Sequence, residues 1–141
     1  MSYFDSLDAS ASALTAQRLR MDVIANNLAN ADSTRTPGGK GPYRRQMVVF
    51  ESREQFKQDV DGRTQKTPLG VQVAGIVEDK TPFRMVYDPS NPDANTSGYV
   101  AMPNVNTVQE MTDMISATRS YEANVTVIQA VKGMAGKALE I

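Results

Sequence analysis

The stretch DPSNPDANTSGY, residues 88–99, gathers the carboxylates, amides and hydroxyls that can ligate a hard cation through oxygen. Its composition is that of a calcium loop, but its spacing is not. Pro92 holds the fifth position, and Tyr99 holds the twelfth, where a bidentate glutamate is required. We therefore read it as turns. TPGGKGP, residues 36–42, is glycine-rich but has no Lys-Ser/Thr ending and no following helix to cradle a phosphate, so it reads as a loop. Tyr43-Arg44-Arg45 could touch an anion or a polymer, although two arginines entering a strand more often sit at the surface. Asn95-Thr96-Ser97 and Asn124-Val125-Thr126 match a glycosylation pattern that chance often produces.

The chain contains no cysteine, histidine or tryptophan. That excludes disulfides, thiolate nucleophiles, Cys/His metal centres and imidazole bases. No cofactor or metal site is expected, and no enzyme. Fifteen basic and 16 acidic side chains leave a formal net charge of −1, too little to draw nucleic acid and no barrier to self-association. The first ten residues lack the charged and apolar regions of a signal peptide, and no window approaches a membrane span. The expectation is a soluble chain with no cleaved signal and no membrane insertion.

The remaining polar groups of interest are amides. In MDVIANNLANADST, residues 21–34, an apolar helical stripe of Met21, Ile24, Leu28 and Ala31 is interleaved with Asn26, Asn27 and Asn30. Asparagine is an indifferent helix former, because its side chain competes for backbone hydrogen bonds.

Gly and Pro show which elements must carry these groups. All seven prolines lie between Pro37 and Pro103, and residues 1–36 and 104–132 contain neither Gly nor Pro. A helix, an irregular or β middle, and a second helix follow from that. Leu7, Leu14, Met21 and Leu28 repeat every seven residues, which predicts a helix over about 5–31, roughly 40 Å long, packed along a seam. Met111, Met114, Thr118, Tyr121, Val125, Ile128, Lys132, Ala135 and Leu139 continue in steps of three and four, predicting a second seam. Between them, MVVF (47–50), LGVQVAGIV (69–77) and FRMVY (83–87) read as strands of a small β module. The fold class is α+β, with long terminal helices paired like a coiled coil around a β-rich middle. Its expected units are 1–33, 34–106 and 107–141.

Charge is sorted along the middle. Residues 37–66 hold Lys40, Arg44, Arg45, Arg53, Lys57, Arg63 and Lys66 against four acids, while 78–113 hold six acids against Lys80 and Arg84. Either this is a solvated mixed surface, or the basic segment of one copy meets the acidic segment of the next. In the second case Arg44, Arg45, Asp88 and Asp93 are the candidate contacts between subunits.

Three stretches together resemble a known family. LTAQRLRMDVIANNLANADST is similar to the asparagine-rich signature of bacterial flagellar axial proteins, those of the rod and hook. EMTDMISATRSYEANVTVIQAVKGM resembles their C-terminal helix, and VYDPSNPDANTSGYVAMPNVN a segment of their proximal rod members. The resemblance implies a structural subunit of the basal-body rod, exported uncleaved by the flagellar type III apparatus into the periplasm. Its implied partners are copies of itself, other rod proteins and the adaptor proteins of the basal body and export gate. The terminal helices would line the export channel and transmit torque. Helix packing and subunit interfaces then fall to Leu7, Leu14, Met21, Ile24, Asn26, Asn27, Leu28, Met111, Met114, Tyr121, Val125, Ile128 and Leu139. Asn26 and Asn27 are expected to face neighbouring subunits, where an amide donates and accepts at once, and Asn30 to cap the helix. The rival readings are another exported axial or needle-type protein, and a small periplasmic binding module.

Overall fold

A run of residues free of Gly and Pro becomes helix α1, Tyr3–Ala29, in the computed structural model, which describes residues 3–39, 41–58 and 64–140. Asp5 in its first turn suits the positive end of the helix dipole. The helix stops where the Asn30 amide nitrogen donates to the Asn26 carbonyl at 2.9 Å, while its Oδ1 accepts the Ser33 hydroxyl at 3.0 Å. Asn30 thus sits at the end of the helix as expected, its side chain adding a second hydrogen bond to the Asn26 carbonyl, which also accepts the Asn30 backbone N–H at 3.1 Å.

Helix α2, Thr107–Leu139, begins at Asn106, whose side chain accepts from the Val108 and Gln109 backbone N–H groups. The helices pack antiparallel: Asn27 meets Glu110, and Met21 lies against Thr118. The pairing agrees with the expected α+β architecture, but the seam on α2 is rotated. Glu110, Ala117 and Val131 are its buried members, with Met114, Tyr121 and Ile128 half-buried between them and Ala135 half-buried beyond. Met111 and Lys132 face outward, and Leu139 is exposed near the end of α2. Thr118 and Val125 sit half-buried at the seam's edge. A step of three or four residues leaves two neighbouring stripes available, and small Ala117 with paired Glu110 lets the backbones approach where Met111 and Thr118 would hold them apart.

The middle forms two separate two-stranded antiparallel sheets, where the sequence predicted one module. Strands β1 (Gln46–Gln58) and β2 (Thr64–Glu78) make a long ribbon, and β3 (Arg84–Tyr87) pairs with β4 (Tyr99–Met102). The polar far half of the ribbon lacks apolar alternation, and β4 is a four-residue run among turn signals, so neither stood out in the sequence. The ribbon lies along α1, which is packed by α2 and by both ribbon strands. The fully buried apolar side chains (Ala16, Val23, Ile24, Ala31, Tyr43, Leu69, Val100, Ala117 and Val131) therefore come from every part of the chain.

Docking of the ribbon turns on one glycine. The register shifts between Ser52 and Glu54, and across from that irregularity Gly70 adopts φ +82°. Its neighbour Val71 donates a backbone N–H to Ser12 Oγ at 3.1 Å, and Arg53 pairs with Asp8. A Cβ at position 70 would lie 2.3 Å from Ser12 Oγ and 3.3 Å from the Ala9 Cα. Gly70→Ala is expected to destabilise the chain by roughly 1–3 kcal/mol through left-handed strain and this clash. A lowered urea midpoint would report it, and Gly75→Ala, with open space around its Cβ, serves as the mild control.

Candidate assembly surface and the polar node that orients it

Asn27 sits in the second-to-last position but one of α1, on the face turned toward both the ribbon and α2, and is 1% exposed. All four hydrogen-bonding positions of its amide are filled. Oδ1 accepts the Gln46 N–H at 2.9 Å and the Tyr43 hydroxyl at 2.9 Å; Nδ2 donates to the Gln46 carbonyl at 2.8 Å and to Glu110 Oε2 at 2.9 Å. By pairing with both backbone groups of Gln46, the side chain acts as a one-residue strand on the edge of β1. Asn27 was expected against a neighbouring subunit; it is used inside the chain, because the ribbon edge needs both a donor and an acceptor. Asn26, one residue earlier, remains exposed.

Glu110 is fully buried, and its other oxygen accepts Arg45 Nε at 2.6 Å. Arg45 also reaches Asp79 at 3.4 Å and Asp113 at 3.7 Å. Its backbone is held too: the N–H donates to Asn104 Oδ1 at 2.8 Å, and the carbonyl accepts from Asp79 N at 2.8 Å. Burial disfavours the Arg45 charge, but the hydrogen bond and charge of Glu110, with help from Asp79, outweigh it and hold the guanidinium more firmly protonated. Burial, reinforced by Glu110 and Glu78, raises the Tyr43 hydroxyl above its ordinary range, so it remains a donor. The Thr81 backbone N–H, at 2.9 Å from Asp79, and secondarily Arg45 keep the Asp79 carboxyl below its ordinary value near 3.8.

Arg44, Arg45, Asp88 and Asp93, expected as joints between subunits, each have partners within the chain. Arg45 joins the basic segment to Asp79, Glu110 and Asp113 of the acidic segment within one chain. Arg44 donates to the Asp79 and Thr81 carbonyls and lies 4.4 Å over the Phe83 ring. Asp88 receives the Ser90 N–H and hydroxyl in a turn, and Asp93 holds Thr34 and Arg35. The antiparallel return of the ribbon brings residue 45 beside residue 79, so the sequence-sorted charges meet at the ribbon's base. Of the other basic residues, Lys40 and Arg63 lie outside the described residues, as do the side chains of Lys57 and Lys66.

Among the expected packing residues, Ile24 is buried, while Leu7, Leu14, Met21, Leu28, Met114, Tyr121, Val125 and Ile128 are half-buried. Met111 is 56% exposed and falls in line with Ile115 (56%) and Val108 (71%), a second apolar stripe on the face of α2 turned away from α1. A cleft of about 350 Å³ beside the node is lined by Arg20, Arg45, Glu110 and Asp113, but these pair with one another. Among the described residues no group of three or more acidic side chains is placed to hold a metal, and no helix is long and apolar enough to cross a membrane. The sequence brought out Tyr43 only within a basic tripeptide and Asp79 and Glu110 only as members of an acidic segment, not their joint role at this node. The available signal was a glutamate one residue from the predicted seam, at the helix start opposite an asparagine-rich helix end.

Two tests follow. Arg45→Met leaves Glu110 buried without its counter-charge and is expected to cost about 3–5 kcal/mol, against less than half that for Arg44→Met, whose partners are carbonyls; chemical denaturation measures both. Because the folded-state value of Asp79 is depressed, its stabilisation is complete well above 3.8 and is lost as pH falls through the folded value. Unfolding monitored from about pH 5 downward should show stability declining, less steeply in Asp79→Asn.

Comparison with known proteins gives matches at both ends and over the full length. A family described as "Flagella basal body rod protein" matches residues 7–36, and "Flagellar basal body rod FlgEFG protein C-terminal" matches residues 96–141. A flagellar basal-body rod protein FlgC of Bacillus subtilis is 52% identical over 148 aligned positions, covering 100% of this chain and 99% of its own. Those of Borreliella burgdorferi and Salmonella typhimurium are 47% and 44% identical, each over 100% of this chain and 98% of the relative.

Proposed function

The chain belongs to the family of the flagellar basal-body rod protein FlgC, and from that premise we propose that it is a structural subunit of the proximal rod whose terminal helices pack side by side with those of neighbouring subunits. As a member of the rod family it is a structural protein of the basal body, assembling with other rod proteins. The finer reading is that it leaves the cytoplasm uncleaved through the type III export apparatus, crosses into the periplasm, and meets adaptor proteins of the export gate. There its helices surround the channel, and its middle faces outward, transmitting torque. On this reading the chain divides into axial helices, 1–33 and 107–141, and an outer segment, 34–106.

One observation carries the reading. The helix pair buries one stripe of α2 against α1 and leaves Val108, Met111 and Ile115 facing away from it, three apolar side chains more than half exposed. An amphipathic helix with a second apolar stripe is suited to a partner on that side. No catalytic role is assigned to any residue.

Purified basal bodies from cells carrying a tagged, complementing copy should contain the chain in the rod; its absence there would overturn the reading. Ile128→Asp, which puts a carboxylate into the α1–α2 seam at a cost of several kcal/mol if unpaired, should abolish swimming while the chain is still secreted. Normal swimming by that variant would show the seam to be dispensable.

A further inference from the structure

The outward face of α1 and the outward face of α2 carry matching patterns. Along α1, Ala11, Thr15, Arg18, Asp22, Ala25 and Ala29 are exposed and follow one another in steps of three and four. Along α2 the exposed stripe continues from Val108, Met111 and Ile115 through Arg119, Glu122 and Thr126. Each helix thus presents a second coiled-coil stripe in addition to the one it uses within the chain. The α1 stripe is made of small residues with one basic and one acidic side chain. The α2 stripe is made of three large apolar residues, one of each charge, and Thr126. Arg18, Asp22, Arg119 and Glu122 have no ion-pair partner among the described residues.

Laid antiparallel, the two stripes fit in one register. When Arg18 of one copy faces Glu122 of another, Asp22 falls opposite Arg119, Ala25 opposite Ile115, Ala29 opposite Met111, and Thr15 opposite Thr126. Both charge pairs are complementary, and the two largest apolar side chains meet alanines, which leave room for them to insert. Asn27–Glu110 and Met21–Thr118 within the chain show an antiparallel register only one to four residues different, so the contact between copies would continue the same side-by-side arrangement. A face that meets a different face of the next copy is a heterologous contact, which builds a ring where the rotation closes and a helical stack where it does not.

We propose that the α1 stripe of one copy docks on the α2 stripe of a second copy of this chain in that register, with Arg18–Glu122 and Asp22–Arg119 fixing it. The proposal rests on the rod-subunit reading and adds the pairing that builds it. Reversal of one charge of a pair places like charges opposite each other in every contact, whereas reversal of both restores attraction.

The chain has no cysteine, so introduced thiols report contacts between its copies without background from itself. Ala25→Cys with Ile115→Cys puts both thiols on outward faces that cannot meet within one chain. In basal bodies oxidised and run without reductant, this pair should yield a species of twice the chain's mass, whereas Ala11→Cys with Ile115→Cys, out of register, should not. Adding Glu122→Arg should cut the yield at least tenfold, and adding Arg18→Glu as well should restore it. Asp22→Arg with Arg119→Asp is an independent swap at exposed positions should the first disturb folding. Basal bodies that contain the chain but give no in-register dimer, or no rescue by either swap, would overturn this pairing and leave the rod-subunit reading intact. Absence of the unmodified chain from basal bodies would overturn both.

Discussion

A buried carboxylate must be paired, and the rest of this molecule is arranged around how Glu110 is paired. Asn27 supplies one hydrogen bond and Arg45 a charged one. Since a lone charge in the interior costs far more than any single contact returns, neither partner can move without the other. Asn27 fixes α1, Arg45 fixes the entry to β1, and Glu110 fixes the first turns of α2. Asp79 and Asn104 then tie the end of β2 and the approach to α2 to the same guanidinium and backbone. Four segments distant in sequence meet at one node.

The orientation of the helices follows from that node. With Glu110 turned inward, Ala117 and Val131 follow it into the seam, and the outer stripe of Val108, Met111 and Ile115 is directed to solvent. The apolar side chains on that outer stripe are therefore a consequence of how the inner one is satisfied. An apolar residue in place of Glu110 would let Met111 compete for the seam, because both stripes obey the same spacing of three and four. The polar contact is costly, and what it gives is uniqueness of the helix rotation, the attested use of a polar residue at a coiled-coil core position.

The ribbon is held by the same logic. It has one face on α1 and no second sheet to cover the other, so its placement depends on a few directional contacts: Asn27 on the Gln46 edge, Ser12 on Val71, and the glycine that lets the backbone come close. Part of the charge segregation along the middle is met at the base of this ribbon, where Arg45 joins Asp79, Glu110 and Asp113. Arg18, Asp22, Arg119 and Glu122, exposed on the two helices with no ion-pair partner among the described residues, were not singled out in the sequence by any local excess of charge. They become distinct only once the paired ones are removed from consideration.

The sequence by itself determined the two terminal helices, because the absence of Gly and Pro and the seven-residue spacing are local properties that a helix reads directly. It also determined the family, through its three motifs, and the helix-ending role of Asn30, which bonds four residues back along its own chain. Tertiary structure alone decided the partners of Asn27 and Arg45, since Glu110 lies 83 and 65 residues away from them. The same limit applied to the seam of α2. Met111 and Glu110 are one residue apart on adjacent stripes, and periodicity favours the apolar one; only the buried amide and guanidinium facing it make the glutamate the inward choice. Two two-stranded sheets in place of one module have a like cause, for strand pairing depends on which chain segments the helices bring together, and local pattern carries no record of that.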